Sequence, residues 1–273
     1  MEFKSLATLS LEEIIDCFLA SFSDYSVKMP EDVEYWRDRF KAARVDYNLC
    51  FGAFAEGKLV GFIINGIDHF QGKKTAFNTG TGVVPKYRGN QLVDKIYDYA
   101  IPILKEHLVS HLALHVIDDN DRAVRVYERI GFNKLKKVYN YSVNLAKEEN
   151  ATSLRSTSFD EIEKLDNPFH DTYPWDSTNE AMRIAGEVYH FYVLENEENQ
   201  IIGFASINPK SGFIAQLETY ELTHLELLLK GLSQQYTNVR IGNVDGGRQE
   251  YRTELLRLGF KNTVNQFEMH RSI

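Results

Sequence analysis

The chain contains 273 residues, 43% hydrophobic and 26% charged, a composition typical of a soluble globular protein with one large or two ordinary domains. Its 39 acidic and 31 basic side chains give a formal net charge of -8, which disfavours a nucleic-acid partner and is compatible with an amine substrate. The N-terminus lacks the basic start and apolar run of a signal peptide, and no apolar stretch is long enough to span a bilayer. We therefore expect a cytoplasmic protein without a membrane partner.

Local signals in the first half predict alternating strands and helices. Ser10 and Glu13 have the spacing of a capping box, and Pro30 suits the first turn of a second helix. Glu56-Gly57 is a hairpin turn signal, whereas Pro102 predicts a kink or an early end in a later helix. Strands are expected at 3–8, 47–55, 58–66, 75–84, 111–117 and 132–145, and helices at 10–21, 30–40, 91–107 and 120–130.

The second half repeats this order of elements. The segments Tyr127–Phe132 and Leu255–Phe260 both end in Gly-Phe and lie about one domain length apart. Because the segment 146–152 is polar and charged, we predict two domains, 1–147 and 148–273. The predicted fold class is α/β (α+β), with a mixed central sheet flanked by helices in each domain. In the second half, helices are expected at 158–166, 176–186, 221–235 and 247–258, and strands at 188–195, 200–207, 212–219, 238–243 and 260–270.

A pattern suited to phosphate binding joins one strand to its helix, in the segment Gly82-Val-Val-Pro-Lys-Tyr-Arg-Gly-Asn-Gln-Leu-Val93. The first backbone N–H groups of a helix have no partner within it, and together with the helix dipole they bind anions. Gly89 lets the backbone come close to a diphosphate, and Arg88 adds a cation that phosphate binds well. Taken alone, an ordinary strand-to-helix turn with a solvated arginine explains this segment equally well.

A second pattern follows one strand later, in Asn120-Asp-Arg-Ala-Val-Arg-Val-Tyr-Glu-Arg-Ile-Gly-Phe132. Asn120 can cap a helix, and Ala123 keeps the helix thin where another group packs close to it. Tyr127 lies one turn further along the same face, where it could donate a proton to a leaving group. Taken alone, a capped helix with a tyrosine in the core is an equal alternative.

In this order, the two patterns resemble the Gcn5-related N-acetyltransferase (GNAT) superfamily. The resemblance is detailed over Val83–Phe132 and extends in element order from Phe3 to about Leu145. It implies an acyltransferase that moves acetyl from acetyl-CoA to a primary amine by direct attack in a ternary complex, without a metal. A non-catalytic acyl-CoA-binding or interaction module of the same fold remains the alternative.

The resemblance also implies roles for individual residues. Tyr127 would be the catalytic acid that protonates the departing thiolate. The backbone of Val83 and Val84 would bind pantetheine and position the acetyl carbonyl. Further cofactor-binding residues would be Arg88, Gly89, Asn90, Gln91, Leu92 and Val93 at the phosphates, with Asn120 and Arg122 also in contact with the cofactor.

Two features depart from the family pattern. Gln91 and Val93 stand where the family's phosphate loop usually has glycine or alanine, and Val93 crowds the approach. The strand 75–84 lacks the carboxylate that many members use to deprotonate the amine. Asp68, His69 or a remote group acting through water could be the base, although a surface turn explains Asp68 and His69 more simply.

The acceptor is expected to be a small-molecule amine. In this fold the loop 22–30 covers the acceptor site, where Asp24 could hold a cationic amine and Tyr25 could stack on it. A plain loop explains both residues almost as well. The second half has Leu255 in place of Tyr127 and no Arg-Gly loop, so we predict a degenerate domain that does not bind the cofactor. The eight histidines show no zinc-ligand spacing.

Overall fold

The computed structural model describes residues 1–24, 29–148 and 152–273. The chain divides into a first unit, Met1–Leu135 with Phe267–Ile273, and a second unit, Lys136–Gln266. Each unit contains a mixed sheet flanked by helices, which confirms the predicted fold class. Within the described ranges, no helix has the length and apolar character needed to cross a membrane.

The elements of the first unit follow the predicted order, with shifted ends. They are β1 (Glu2–Ser5), α1 (Leu11–Ser21), α2 (Val33–Ala42), β2 (Phe51–Ala55), β3 (Lys58–Phe70), β4 (Lys73–Val83), α3 (Leu92–Glu106), β5 (His111–Ile117) and α4 (Asp121–Ile130). The capping box is confirmed, because the Ser10 and Glu13 side chains each accept a hydrogen bond from the other's backbone N–H. The helix α2 begins at Val33 rather than near Pro30, because the Asp32 side chain caps it.

Helix α3 runs through Pro102 to Glu106, close to the predicted end at 107, so of the two expected effects of the proline the early end does not occur. The residues on either side of the proline, Ala100 and Leu104, are fully buried, and their packing holds this stretch against the core. That packing outweighs the hydrogen bond that proline cannot make. A core cluster that includes both residues packs α3 and α4 on one face of the sheet, and a second cluster packs α1 and α2 on the other.

The strands β4 and β5 separate part-way along their length. Their parallel pairing covers Thr75–Asn78 and His111–Leu114, and then stops. At that point Thr79 is an extra residue of β4 opposite the Ile64–Asn65 step of β3. Such a bulge bends its strand and breaks the local pairing. The result is a gap between the end of β4 and the end of β5.

The end of the chain completes the sheet of the first unit. The strand β12 (Lys261–Ser272) lies next to β5, and Ile273 N donates to Ser110 O at 3.0 Å. This pairing joins residues more than 150 positions apart in the chain. Local sequence patterns therefore do not predict it. The compact units therefore divide the chain elsewhere than at residue 147, and the boundary between the two family domains stays a prediction.

The second unit repeats the order of the first. Its elements are β6 (Asn133–Asn144), β7 (Arg155–Thr157), α5 (Phe159–Ile162), α6 (Asn179–Ile184), β8 (His190–Glu195), β9 (Ile201–Ile207), β10 (Phe213–Thr219), α7 (Leu225–Leu232), β11 (Asn238–Asp245) and α8 (Gln249–Arg257). The predicted helices 158–166 and 176–186 are shorter than expected, and β7 was not predicted. Parallel pairing of β10 with β11 also stops early, at Ile214, and Ala215 forms a bulge there.

Candidate active site

A cavity of about 600 Å³ lies in the first unit at the end of β4, where this strand has separated from β5. It extends from Ser21 and Phe22 at the end of α1 to α4. Its lining includes the predicted residues Val83, Arg88, Gly89, Gln91, Leu92, Val93, Asn120, Arg122 and Tyr127. Of the other predicted residues, Val84, Asn90 and Asp24 are not among the described lining residues, and Tyr25 lies outside the described part of the chain.

The first turn of α3 presents free backbone donors to this cavity. Within the described residues no side chain caps the helix, and the first bond of its ladder runs from Lys95 N to Gln91 O at 3.2 Å. Gly89 has φ +84°, and a Cβ placed there would meet no atom within 4 Å. Open space in front of an uncapped helix N-terminus suits an anion such as a diphosphate. These residues therefore fit the cofactor that the sequence implies.

Gln91 takes a left-handed conformation, which glycine adopts without strain, with φ 52° and ψ 38°. For a residue with a side chain this conformation costs about 1–2 kcal/mol. The loop thus keeps a backbone shape suited to phosphate although its sequence departs from the family pattern. Val93 packs against the core cluster of α3 and also lines the cavity.

The Arg88 guanidinium is held by acceptors within the protein. It donates to Val83 O at 3.1 Å and to Ser21 O at 2.7 Å, and it binds both carboxylate oxygens of Asp24 at 2.5 and 2.9 Å. The hydrogen bond from Arg88 lowers the pKa of Asp24. Arg88 therefore ties the end of β4 to the end of α1. Its role as a phosphate ligand, and that of Asp24 at an acceptor amine, stay predictions.

Helix α4 contributes a charge pair to the phosphate end of the cavity. Asp94 stands in the first turn of α3, where a carboxylate would repel a bound phosphate. Arg129 from α4 donates to both oxygens of Asp94 at 2.6 and 2.7 Å, and this lowers the pKa of Asp94. The pair is close to neutral, so the net positive charge of the lining comes from the other arginines, among them Arg122 and Arg125.

The N–H groups at the end of β4 point alternately toward β3 and away from it. Val84 N donates to Val60 O on β3 at 2.9 Å, so this N–H is engaged within the sheet, and a role of the Val84 backbone in binding pantetheine stays a prediction. Alternate N–H groups of a strand point to opposite sides. Those of Val83 and Thr81 therefore point away from β3, toward the gap. Thr81 lines the cavity, although the sequence analysis did not single it out.

Tyr127 is half-buried, lines the cavity and packs edge-on against Phe132, with ring centroids 5.7 Å apart. Its helix is capped by Asn120, whose side chain accepts from Ala123 N at 3.1 Å, and ends at Gly131 with φ 102°, as predicted. A second tyrosine, Tyr97, is fully buried behind it. Burial, together with the neighbouring Tyr127, raises the pKa of Tyr97 well above its usual value.

A histidine that the sequence analysis missed stands where β4 and β5 separate. His115 is the first residue of β5 beyond the paired segment. Its Nε2 lies 3.2 Å from Glu268 Oε2, and its ring contacts Phe77 edge-on. The sequence signal was a histidine in the middle of the apolar run Leu112–Ile117, in the strand before the Asn120 pattern.

The base candidates taken from the sequence lie elsewhere. Asp68 pairs with Arg44 at 2.9 Å and accepts from the backbone N–H of His69 at 2.6 Å. Asp68 pairs with Thr75, which lies where β4 and β5 are still paired, away from the gap between them. In the described ranges, no cluster of three or more His, Cys, Asp or Glu side chains could hold a metal ion.

Comparison with known proteins identifies relatives of the first half. Residues 11–132 match the Acetyltransferase (GNAT) family. N-alpha-acetyltransferase MAK3 of Arabidopsis thaliana is 29% identical over 96 residues, which are 35% of this chain and 50% of that protein. The chain thus spans half or less of the length of the curated relatives it matches.

Solved structures share the fold over nearly the whole chain. A GCN5-related N-acetyltransferase from Sphaerobacter thermophilus has a TM-score of 0.68 at 13% identity, covering 99% of this chain and 95% of that one. A tandem GNAT protein from the clavulanic acid biosynthesis pathway has a TM-score of 0.66 at 13% identity, covering 99% and 98%. At such identities the likeness concerns the fold alone.

Proposed function

Since residues 11–132 match the acetyltransferase (GNAT) family, we propose that the protein transfers acetyl from acetyl-CoA to a primary amine. The observation that carries the proposal is the cavity at the end of β4, which is lined both by the uncapped first turn of α3 and by Tyr127. A small-molecule amine is the acceptor that we propose first. The cytoplasm is the location that the sequence favours.

A peptide α-amino group is the second candidate acceptor. Two curated relatives carry the name N-alpha-acetyltransferase, although each matches only part of this chain. Both acceptors present the same nucleophile, a neutral primary amine, so the same catalytic groups serve either one. The two candidates differ in the size and polarity of the group that carries the nitrogen. Comparing the rates of acetylation of small amines and peptides distinguishes them.

The cavity offers donors for each part of acetyl-CoA. The first turn of α3, with Arg122 and Arg125, would hold the phosphates. The pantetheine arm would lie between β4 and α4, within reach of the N–H groups of Val83 and Thr81. One of these groups would donate to the acetyl carbonyl oxygen, where negative charge develops during attack.

Proton transfer in this proposal involves two side chains. The amine nitrogen attacks the carbonyl carbon, the new C–N bond forms, and the C–S bond breaks. Tyr127 donates its phenolic proton to the departing sulfur, and His115 accepts the proton that the amine loses. His115 follows Leu114, the partner of Asn78, and the cavity lining begins three residues further along β4 at Thr81, about 10 Å along the strand, so the proton reaches His115 through intervening water. Solvent then returns a proton to Tyr127 and removes one from His115.

The test measures CoA release with a panel of acceptors, in parallel with calorimetry of acetyl-CoA binding. The panel contains small-molecule amines, and peptides with free or blocked N-termini. Turnover of any unblocked amine supports the proposal, and the preferred class identifies the acceptor. Binding without turnover of any amine would favour the alternative of an acyl-CoA-binding module, and the absence of binding would contradict both.

Loss of the Arg129 charge should weaken acetyl-CoA binding. In Arg129→Ala, Asp94 would face the phosphates without its partner, and we expect a Kd about fivefold higher, equivalent to about 1 kcal/mol. The double variant Asp94→Asn/Arg129→Ala should recover most of the affinity. Lys134→Ala removes an equal charge from an exposed pair with Glu128 and is the matched control. Calorimetry at low salt measures all three, and equal effects of Arg129→Ala and Lys134→Ala would contradict the local role of the pair.

A further inference from the structure

A buried carboxylate of the last strand lies between two histidines. The Glu268 residue is fully buried. Its Oε2 is 3.2 Å from His115 Nε2, and its Oε1 is 3.0 Å from His270 Nε2. Of these two contacts, the one with His115 has hydrogen-bond geometry. The side chain of His115 is 8% exposed and that of His270 is 21% exposed.

We infer that Glu268 is the positioning residue of His115, which makes a carboxylate from the end of the chain part of the active site of the first unit. This inference rests on the proposed function for its catalytic consequence. In this arrangement Glu268 accepts the hydrogen bond, and His115 donates it with its proton on Nε2. The lone pair then stands on Nδ1, the nitrogen that accepts the amine proton.

Glu268 also stabilises the product of that proton transfer. When His115 takes the proton, its ring becomes a cation at hydrogen-bond distance from a buried anion. In a site with little water, such an ion pair is stronger than the same pair at the surface. Before the transfer the carboxylate holds one ring orientation and one tautomer, the function that an acidic residue has in a hydrogen-bonded catalytic dyad.

Packing around the pair fixes its geometry. The His115 ring meets Phe77 of β4 edge-on at 5.1 Å, and Phe70 lies between Phe77 and His270 at 6.2 and 6.5 Å. Beyond His270 the next titratable group on this face is His111, whose pKa is lowered mainly by burial. A buried carboxylate needs a charged or hydrogen-bonding partner, and the histidines provide it here.

The experiment records the ring-nitrogen NMR spectrum of the full-length protein and assigns His115 by its loss in His115→Gln. The wild type should show His115 protonated on Nε2. In Glu268→Gln the Nδ1-protonated form should gain population, and kcat should fall by about 10²-fold, with the KM for acetyl-CoA within about twofold of wild type. The matched control His270→Gln removes the other neighbour of the same carboxylate and should leave kcat within about threefold.

Two results would overturn the inference. One is a wild-type spectrum in which the His115 proton is on Nδ1. This result does not depend on whether any variant folds. The other is a loss of kcat in Glu268→Gln no larger than in His270→Gln, which would make the carboxylate structural only. If the wild type acetylates no amine, the proposed function fails, and the tautomer of His115 still decides whether Glu268 positions it.

Discussion

Tyr127→Phe should lower kcat for amine acetylation by about 10²-fold or more while leaving acetyl-CoA affinity within about twofold of wild type. The substitution removes one hydroxyl and keeps the ring that packs on Phe132. Without that hydroxyl, the departing thiolate has no positioned proton donor. The binding contacts at α3 are untouched, so the loss should fall on kcat and not on affinity. Steady-state kinetics and calorimetry on one preparation measure both quantities.

Tyr97→Phe is the matched control, because it removes the hydroxyl of the neighbouring tyrosine. Tyr97 Oη accepts a hydrogen bond from Asn78 Nδ2 at 2.7 Å, and burial raises the pKa of Tyr97 well above its usual value. We expect kcat within about threefold of wild type, and a loss of about 1–2 kcal/mol of unfolding free energy from the disturbed buried hydrogen bond. If Tyr97→Phe reduced kcat as much as Tyr127→Phe, the acid would have to be reassigned.

Features fixed by neighbouring residues were predictable from the sequence. Ser10 with Glu13, Glu56 with Gly57, and Gly131 each satisfy a local requirement of the backbone. The two motifs could be located for the same reason, since each joins a strand end to a helix start. Local signals failed where a nearby competitor was stronger, as at Asp32, which caps the helix that Pro30 was expected to begin.

Contacts between distant segments were not predictable. Arg88 binds Asp24 across 64 residues, so a side chain expected at the phosphates also has a partner at the end of α1. Glu268 reaches His115 across 153 residues through the pairing of the last strand. No spacing rule relates such pairs, because the sheet and not the local sequence brings them together. The residue that we propose as the base, His115, is held by such a contact, and local sequence patterns did not single it out.

The second unit has an ion pair near the position that the cofactor site takes in the first. Arg248 stands at the start of α8, as Asn120 does at the start of α4, and binds Glu218 at 2.6 and 2.7 Å. Its guanidinium also lies 4.0 Å from the Tyr251 ring and 4.2 Å from the Phe169 ring. This arrangement supports our proposal that the second unit binds no cofactor, with one acetyl-CoA per chain expected by calorimetry.

Arg248→Ala should destabilise the second unit by about 3–5 kcal/mol, since it leaves a buried carboxylate without its partner. The Arg248 and Glu218 side chains are only 10% and 6% exposed. The double variant Glu218→Leu/Arg248→Met should recover most of this loss, because it removes both buried charges. Arg257→Ala, on the same helix, is the matched control: the Arg257 side chain is 56% exposed, and its ion pairs are worth about 1 kcal/mol or less. Urea unfolding measures the loss of stability. Hydrogen exchange of peptides from β8 to β11 tests whether that loss falls on the second unit.

The pH dependence of this destabilisation has a definite sign. Burial already raises the pKa of Glu218 in the folded protein. A raised folded pKa means that the carboxyl favours folding while it is protonated, and that this contribution is lost as the pH rises through the folded pKa. Without Arg248 the charged form is less stable still, so the cost of Arg248→Ala should be larger at pH 8 than at pH 5. A cost that stayed constant with pH would show that lost packing on Tyr251 and Phe169, and not the unpaired charge, dominates the effect.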